Sequence, residues 1–229
     1  MHPAVALGLA YVSGSVPAAF LAGKWRGGDL RSHGSGNLGA TNVLRVLGPR
    51  IGATVFAIDI YKGSFPVHFI APMTGLTGDA LTLLQVAGGV AAVLGHARPV
   101  FLGFRKGGKG VATACGIFLA LVPIQAAVSL LIFALVAGCS GYVSLASISA
   151  SIALPLLVGV SFGVRSPQFS VGTLTLLFLL WNHRENIKRL RAGTEFRFSR
   201  SAGWGQGTSL TLGAAVLAAA MSLLAVRAR

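Results

Sequence analysis

Long apolar runs separated by short polar gaps dominate this sequence. Most of these runs approach the roughly 20 residues that an α-helix needs to cross the hydrocarbon core of a bilayer. The pattern therefore predicts an all-α polytopic membrane protein. The apolar runs cover residues 5–22, 51–73, 80–102, 111–138, 145–162, 171–180 and 209–226.

The basic residues in the gaps predict how the chain is threaded through the membrane. The gaps at 24–50 and 105–109 are rich in Lys and Arg and should face the cytoplasm, whereas the gap at 74–78 carries no positive charge and should face outward. This order places the N-terminus outside. If residues 111–138 formed one span, the basic segment at 188–191 would also lie outside, against the same rule.

Pro123 resolves this conflict if it divides its apolar run into two short helices that enter the membrane and return. Each helix would have about 11–15 residues, fewer than a straight span needs, so packing within the protein must shelter the helix ends. All the polar clusters of the chain then lie on the cytoplasmic side. We predict this break and this orientation.

The charge balance supports the membrane interpretation. Charged residues make up 10% of the chain, against about 25% in soluble domains. The 19 Lys and Arg outnumber the 5 Asp and Glu and give a net charge of +14. Because these charges sit in short gaps between apolar runs, we interpret most of them as anchors to anionic headgroups, and we expect the lipid bilayer rather than nucleic acid as the partner.

The first basic gap contains the glycine-rich sequence GSGNLGATN at residues 34–42, and Arg45 follows one turn later. Glycines allow the backbone to approach a ligand closely, and successive N–H groups beside a helix start bind anions. The pattern predicts a phosphate cradle, with a plain flexible loop as the alternative. The formal G-x-G-x-x-G match, with Asp59 downstream, does not indicate a dinucleotide site because membrane helices flank it.

The second basic gap contains the glycine turn GFRKGGKG at residues 103–110. This turn is close to a Walker A pattern, but Gly110 stands where a Ser or Thr would bind magnesium, and no strand precedes the turn. We therefore expect no nucleotide hydrolysis. Anion binding by Lys106 and Lys109 is the predicted role, and anchoring to the membrane surface is the alternative.

The third cluster lies at the end of a later apolar run. His183 and Asn186 are three residues apart, so on a helix they share one face, and we predict that they contact a ligand. A structural histidine is the alternative. Asp59 lies inside a span, where an ionisable residue is costly and therefore a functional candidate, although Lys62 at i+3 could neutralise it.

The sequence offers little conventional catalytic machinery. No His has metal-ligand spacing with Cys or carboxylates, so neither a metal nor a cofactor is expected. No acidic pair is placed for general acid–base catalysis. A phosphate-rich substrate is therefore expected to supply its own base.

Three segments together resemble the signatures of the bacterial acyl-phosphate-dependent glycerol-3-phosphate acyltransferases. The likeness runs from about residue 13 to residue 195 in the order of the family, and Asp59 with Lys62-Gly63 matches an acid and a Lys-Gly pair that the family carries after its first signature. The three signatures correspond to residues 34–45, residues 95–113 and residues 183–195.

The second signature departs from the family pattern at one position. Arg105 separates Phe104 from Lys106, so either Arg105 or Lys106 fills the role of the family lysine. The run at 209–226 is an addition beyond the third signature.

The resemblance implies the architecture and the location of the protein. It implies a compact bundle of seven membrane helices, two of them short, with the N-terminus outside and all signatures on the cytoplasmic face of the bacterial inner membrane. This membrane domain would comprise residues 1–195. Residues 196–229 would add a basic linker and one C-terminal transmembrane helix.

The resemblance also implies a reaction. A fatty acyl group would pass from acyl phosphate to the 1-hydroxyl of sn-glycerol 3-phosphate, giving lysophosphatidic acid and inorganic phosphate as the committed step of phospholipid synthesis. Neither acyl-CoA nor acyl carrier protein would be used. The soluble enzyme that makes acyl phosphate is an expected partner.

We assign site residues on this resemblance, and the proton acceptor is either a substrate phosphate oxygen, which we favour, or His183. The residues assigned to catalysis are Ser35, Asn37, Lys106 and His183. Acyl phosphate is assigned to Gly34, Ser35, Gly36, Asn37, Thr41 and Ser144. Glycerol 3-phosphate is assigned to Asn42, Arg45, Lys106, Lys109, His183 and Asn186.

Two other classes of function fit parts of the sequence. Basic loops and an acid within a span would suit a transporter or channel for a phosphorylated metabolite, but the polar residues cluster on one face and no polar stripe follows the later spans. A structural membrane anchor for other lipid enzymes would leave the glycine-rich polar clusters without a purpose.

Overall fold

A computed structural model describes residues 1–198 of the chain, and this part is built from α-helices with no β-strand. Short 3₁₀ turns and one π-helical segment interrupt or extend the helices. The helices are α1 Pro3–Gly14, α2 Ala18–Trp25, α3 Ala40–Leu47, α4 Pro49–Phe65, α5 Gly78–Ala97, α6 Val111–Leu121, α7 Pro123–Ser140, α8 Val143–Phe162, α9 Pro167–Asn182 and α10 Arg184–Arg191.

Several of these helices have the length and composition of membrane spans. Within the described residues, the four that qualify are Pro3–Trp25, Gly78–Leu102, Pro123–Ser140 and Val143–Phe162. Val111–Leu121 is a shorter apolar helix. The predicted class of all-α polytopic membrane protein is therefore confirmed, whereas the count of seven core helices stays a prediction. The appended C-terminal span at 209–226 lies outside the described residues.

The predicted break at Pro123 is confirmed. Helix α6 has 11 residues and ends at Leu121, and α7 begins at Pro123. Val122 between them lies outside the α region, at φ −141° and ψ 66°, because the residue before a proline is disfavoured there and proline has no N–H for a continuous helix. Helix α7 has 18 residues and is longer than the predicted short helix.

The first apolar run contains a second break that the sequence analysis did not predict. Helix α1 ends at Gly14 and α2 begins at Ala18, with Pro17 between them at φ −90° and ψ 66°. The run therefore forms two helical segments rather than one continuous helix.

The chain forms two compact units, and the first of them is Met1–Leu121. In this unit α1 packs on α5 and α4 packs on α6. Both contacts are very close, because a methyl group on Gly14 would overlap the backbone of Ala92 and one on Gly63 would overlap the backbone of Thr113. Small residues allow this approach, as is common between membrane helices.

The second unit begins at Val122 and contains α7 to α10. Helix α8 packs against both α7 and α9. Ser166 caps α9 by accepting a hydrogen bond from the Phe169 amide at 3.2 Å. The predicted domain boundary at residue 195 stays a prediction, because most of the segment that follows it lies outside the described residues.

Candidate functional site

The glycine loop of residues 34–39, in the first unit, is held in one conformation by Asn42. This asparagine is 1% exposed. Its Oδ1 accepts a hydrogen bond from the Ser35 amide at 2.8 Å, and its Nδ2 donates to the Leu30 and His33 carbonyls at 3.2 and 3.0 Å. An amide with both ends committed to the backbone fixes the loop. This arrangement does not fit the alternative of a plain flexible loop, because the Asn42 side chain is bonded to the backbone on both sides.

The backbone of the glycine loop has the conformations that an anion cradle needs. Gly34 and Gly36 have φ of +60° and +67°, in the left-handed region that favours glycine. A methyl group on Gly34 would also overlap the Asn42 side chain. Gly39 is the N-cap of α3 and has no side chain that could accept from the first amides of that helix. The loop and the start of α3 therefore suit an anion.

The predicted polar side chains are distributed along this loop and along α3. Ser35 is exposed, and Thr41 and Arg45 are half-buried in the first and last turns of α3. The Asn37 Oδ1 atom is buried and accepts no hydrogen bond from any described residue. A buried acceptor of this kind is costly unless a donor reaches it, and a substrate hydroxyl is a donor of the right type.

The basic glycine turn of residues 103–110 is anchored to the end of α5. The Gly107 amide donates to the Ala97 carbonyl at 2.9 Å, and the Gly108 amide donates to the His96 carbonyl at 3.2 Å. Phe104 has φ +59° and is the only non-glycine residue with positive φ in the described chain. These bonds leave Lys106 exposed and Lys109 half-buried at the surface of the turn.

The ambiguity at Arg105 persists in the structure. Arg105 and Lys106 are adjacent, and both are exposed. The assignment of the family lysine role to one of them therefore stays open.

A buried polar cluster lies beneath the two glycine segments. The Lys62 Nζ atom is 2.8 Å from Asp59 Oδ1, and the His96 Nδ1 atom is 3.7 Å from the same oxygen. The three residues are 2–5% exposed. Lys62 thus neutralises Asp59, which was one of the two interpretations of Asp59 drawn from the sequence. The sequence did not predict that His96 joins this ion pair. The available sign was that His96 is itself an ionisable residue near the end of an apolar run.

His183, in the second unit, lies at the junction of α9 and α10 and is 3% exposed. Its Nδ1 lies 2.8 Å from the Leu179 carbonyl. A carbonyl only accepts hydrogen bonds, so Nδ1 carries the proton and Nε2 is the basic nitrogen of the neutral ring. His183 is therefore oriented as a group that can accept a hydrogen bond or hold a proton through Nε2.

Glu195 brings together three side chains of the second unit. Its Oε1 accepts hydrogen bonds from Asn186 Nδ2 at 2.7 Å and from Ser144 Oγ at 3.0 Å, and its Oε2 accepts one from Arg189 Nε at 2.7 Å. Burial alone would raise the pKa of Glu195, but the hydrogen bonds from Asn186, Arg189 and Ser144 together hold that pKa below its ordinary value. Glu195 is therefore an anion that organises predicted site residues.

No role for Glu195 was predicted from the sequence. Its partners come from α8 and α10, so no single local periodicity connects all of them. The signals that were available are the acidic side chain in a strongly basic segment and its position at the end of the third signature. No described group of three or more His, Cys, Asp or Glu residues is arranged to hold a metal ion.

Comparison with known proteins gives one consistent result. The sequence profile of the family described as glycerol-3-phosphate acyltransferase matches residues 4–193. A glycerol-3-phosphate acyltransferase of Geobacter metallireducens is 48% identical over 189 residues, which cover 82% of this chain and 94% of that protein. The protein of the same name from Fusobacterium nucleatum is 41% identical over 191 residues, covering 83% and 95% of the two chains.

Solved structures agree with the sequence relatives. The crystal structure of PlsY (YgiH), an integral membrane glycerol 3-phosphate acyltransferase, in its glycerol 3-phosphate form is similar with a TM-score of 0.80 and 39% identity, covering 86% of this chain and 96% of that one. The lysophosphatidic acid form of PlsY gives a TM-score of 0.76 and 38% identity, with 86% and 95% coverage.

Proposed function

The chain belongs to the glycerol-3-phosphate acyltransferase family, and from this premise we propose that it transfers a fatty acyl group from acyl phosphate to the 1-hydroxyl of sn-glycerol 3-phosphate. The products are 1-acyl-sn-glycerol 3-phosphate, a lysophosphatidic acid, and inorganic phosphate. The chain is an integral membrane acyltransferase of the polytopic class. The acyl donor, the position of transfer and the residue roles below are the content of the proposal.

The observation that carries the proposal is the meeting of two anion-binding glycine segments in the first unit. Leu38 ends the left-handed part of the glycine loop, and its carbonyl lies 2.6 Å from where a Gly108 Cβ would stand. One segment presents the backbone amides before α3, and the other presents Lys106 and Lys109. Two adjacent sites for phosphate suit a reaction in which the donor and the acceptor are both phosphates.

The residues of the first unit divide between the two substrates. We assign acyl phosphate to residues 34–37 with Thr41. The Ser35 amide donates to Asn42 Oδ1 and the Gly36 amide donates to the His33 carbonyl. The donors assigned to the phosphate are therefore the Ser35 and Thr41 hydroxyls, the other amides of the loop and the first amides of α3. Glycerol 3-phosphate is assigned to Arg45, Lys106 and Lys109, whose cations suit its phosphate. The contact of Asn42 with glycerol 3-phosphate stays a prediction. In the structure the Asn42 side chain holds the loop in place through its hydrogen bonds.

The residues of the second unit complete the assignment. His183 and Asn186 are assigned to glycerol 3-phosphate and Ser144 to acyl phosphate. Glu195 orients the last two by accepting from Asn186 Nδ2 and Ser144 Oγ. The Ser144 hydroxyl oxygen can still accept a hydrogen bond while its proton is donated to Glu195.

The chemistry needs no covalent intermediate. The 1-hydroxyl oxygen attacks the carbonyl carbon of acyl phosphate, the bond from that carbon to the phosphate oxygen breaks, and phosphate leaves with its electron pair. Amides and cations stabilise the negative charge that develops on the carbonyl oxygen and on the departing phosphate, an effect worth about 10²–10³ in rate per donor. The hydroxyl proton passes to a phosphate oxygen of a substrate.

The proposed location follows from the same charges that predict the threading. The signature segments face the cytoplasm of a bacterial cell, at the inner membrane, and the N-terminus faces outward. Acyl phosphate then reaches the enzyme from the cytoplasmic side. We include the soluble enzyme that produces acyl phosphate as the partner that supplies it.

The test compares acyl donors with the purified full-length protein in detergent. Radiolabelled glycerol 3-phosphate is incubated with palmitoyl phosphate, palmitoyl-CoA or palmitoyl acyl carrier protein. We expect lysophosphatidic acid and phosphate in a one-to-one ratio with palmitoyl phosphate alone. Product formed from palmitoyl-CoA but not from palmitoyl phosphate would refute the assignment of the donor.

Two variants of neighbouring residues are compared with each other in the same assay. Lys106→Met and Arg105→Met remove adjacent exposed cations from one turn. The variant with the larger rise in KM for glycerol 3-phosphate identifies the residue that takes the family lysine role. We assign that role to Lys106. A rise in KM confined to Arg105→Met would assign the role to Arg105 instead.

A further inference from the structure

The buried cluster of Asp59, Lys62 and His96 has no part in the proposed chemistry. We propose that it is a positioning cluster, which fixes the glycine loop and the basic glycine turn against each other so that both phosphates are held in register. This inference rests on the proposed function, since it concerns the geometry of the same two segments. It assigns a role to three residues that touch neither substrate.

The cluster begins at the break between α1 and α2. Lys62 Nζ donates to the Val16 carbonyl at 2.9 Å and lies 2.8 Å from Asp59 Oδ1. The Ser13 hydroxyl donates in turn to the Lys62 carbonyl at 3.4 Å. The Val16 carbonyl also accepts from the Ala18 amide at 3.1 Å, and Lys62 adds a second, charged donor at this helix break while remaining neutralised by Asp59.

His96 extends the cluster to both glycine segments. Its Nδ1 faces Asp59, and its Nε2 lies against Gly108, where a Cβ would overlap the imidazole. The carbonyl of Leu38, in the glycine loop, approaches the same point of Gly108. The imidazole is therefore packed directly against the turn at the point where the loop meets it.

The surroundings of the cluster are consistent with this role. Asp59, Lys62, His96, Leu38, Gly107 and Gly108 line one narrow cleft of the first unit. Its charged members are almost fully buried, and burying a charge is costly unless it is paired. A neutral apolar core would pack the helices together at a lower cost in free energy. What the charged cluster adds is a fixed direction for the ring that supports Gly108.

The experiment separates positioning from simple stabilisation. Lys62→Met takes the ammonium partner from the buried Asp59 and leaves it only His96 at 3.7 Å, whereas Asp59→Asn combined with Lys62→Met removes both charges of the ion pair. We expect the double variant to recover the melting temperature that Lys62→Met loses. Its kcat/KM for glycerol 3-phosphate stays about tenfold to a hundredfold below that of the unchanged enzyme, because small displacements of bound reactants cost rate.

Two further variants make the result independent of how well the double variant folds. His96→Asn keeps the ion pair and a donor near Asp59 but removes the ring beside Gly108, and we expect the same loss of kcat/KM. Gln85→Met is the matched control, since Gln85 Nε2 also donates to a backbone carbonyl, that of Val67 at 3.0 Å, away from both glycine segments. This control should keep its kcat/KM within about twofold.

A readout without turnover separates this inference from the proposed function. Glycerol 3-phosphate should raise the melting temperature of the unchanged protein and of Gln85→Met, and should do so much less for the double variant and His96→Asn. If the unchanged enzyme fails with palmitoyl phosphate, the proposed donor is wrong, and this thermal shift still tests the cluster. Folded double and His96→Asn variants with kcat/KM and thermal shift like the unchanged protein would overturn the inference.

Discussion

At the scale of single residues, the candidate site depends on buried polar side chains that hold backbone in place. Asn42 ties the glycine loop and the segment just before it to α3 through three hydrogen bonds, and His183 is oriented by the Leu179 carbonyl. Both residues were singled out in the sequence by their chemical type. Their hydrogen-bond partners, which determine what each of them can do, depend on the folded chain.

Asn42→Ala tests whether this residue acts through the loop. The loss of its hydrogen bonds should lower the free energy of unfolding by about 1–3 kcal/mol and should raise KM for acyl phosphate, because the amides of the loop are no longer held in position. Thermal denaturation and steady-state kinetics measure both effects. Thr54→Ala, which removes a hydroxyl from an exposed helix face, serves as the control. A change in KM for glycerol 3-phosphate alone, at unchanged stability, would show instead that Asn42 contacts that substrate.

His183→Ala tests whether the histidine binds substrate or removes the proton. We expect KM for glycerol 3-phosphate to rise while turnover at saturation survives across the pH range, because a substrate phosphate accepts the proton. The measurement is kcat and KM at a series of pH values. A large fall in kcat together with the loss of its pH dependence near the pKa of histidine would identify His183 as the base.

At the scale of elements, side chains donate hydrogen bonds to backbone carbonyls at two interruptions of the helices. Helix α1 stops before Pro17, and Lys62 donates to the Val16 carbonyl at that break. The π-helical segment Pro66–Ile70 has its Val67 carbonyl bonded by Gln85. Backbone groups cannot remain unpaired in a membrane, and at these two interruptions a polar side chain from a neighbouring helix supplies a donor to the backbone.

Glu195 holds three elements of the second unit together, and its charge should make that stability depend on pH. Its pKa is held below the ordinary value, so it stabilises the fold above the pKa of an unfolded glutamate, about 4.3, and this contribution is lost as the pH falls through the lower, folded value. We expect Glu195→Gln to lower the melting temperature at pH 7, and we expect its difference from the unchanged protein to shrink as the pH falls below about 4.3.

The matched control for this prediction is Glu185→Gln. Glu185 is exposed and pairs with Lys188 at 3.3 Å on the surface of α10, where such pairs contribute little. Its substitution should change the melting temperature by less than that of Glu195 at every pH. Equal effects of the two variants would show that the Glu195 hydrogen bonds do not support the unit.

At the scale of the whole molecule, the features that follow from local rules could be predicted from the sequence. Apolar runs gave the helical class, and the positive-inside rule located the break at Pro123. The break before Pro17 was missed, because the small and polar residues around it also suit continuous helix packing. The roles of His96 and Glu195 could not be predicted, because each has a partner that is distant along the chain. Asp59 lies 37 residues from His96, and Ser144 lies 51 residues from Glu195.

In the proposed mechanism the acyltransferase holds two phosphates at once and uses no nucleophile of its own. Initial rates measured with acyl phosphate and glycerol 3-phosphate varied together test this claim most directly. Direct transfer predicts intersecting double-reciprocal lines and no labelled protein after incubation with radiolabelled acyl phosphate alone. Parallel lines together with a labelled acyl-enzyme would contradict the account.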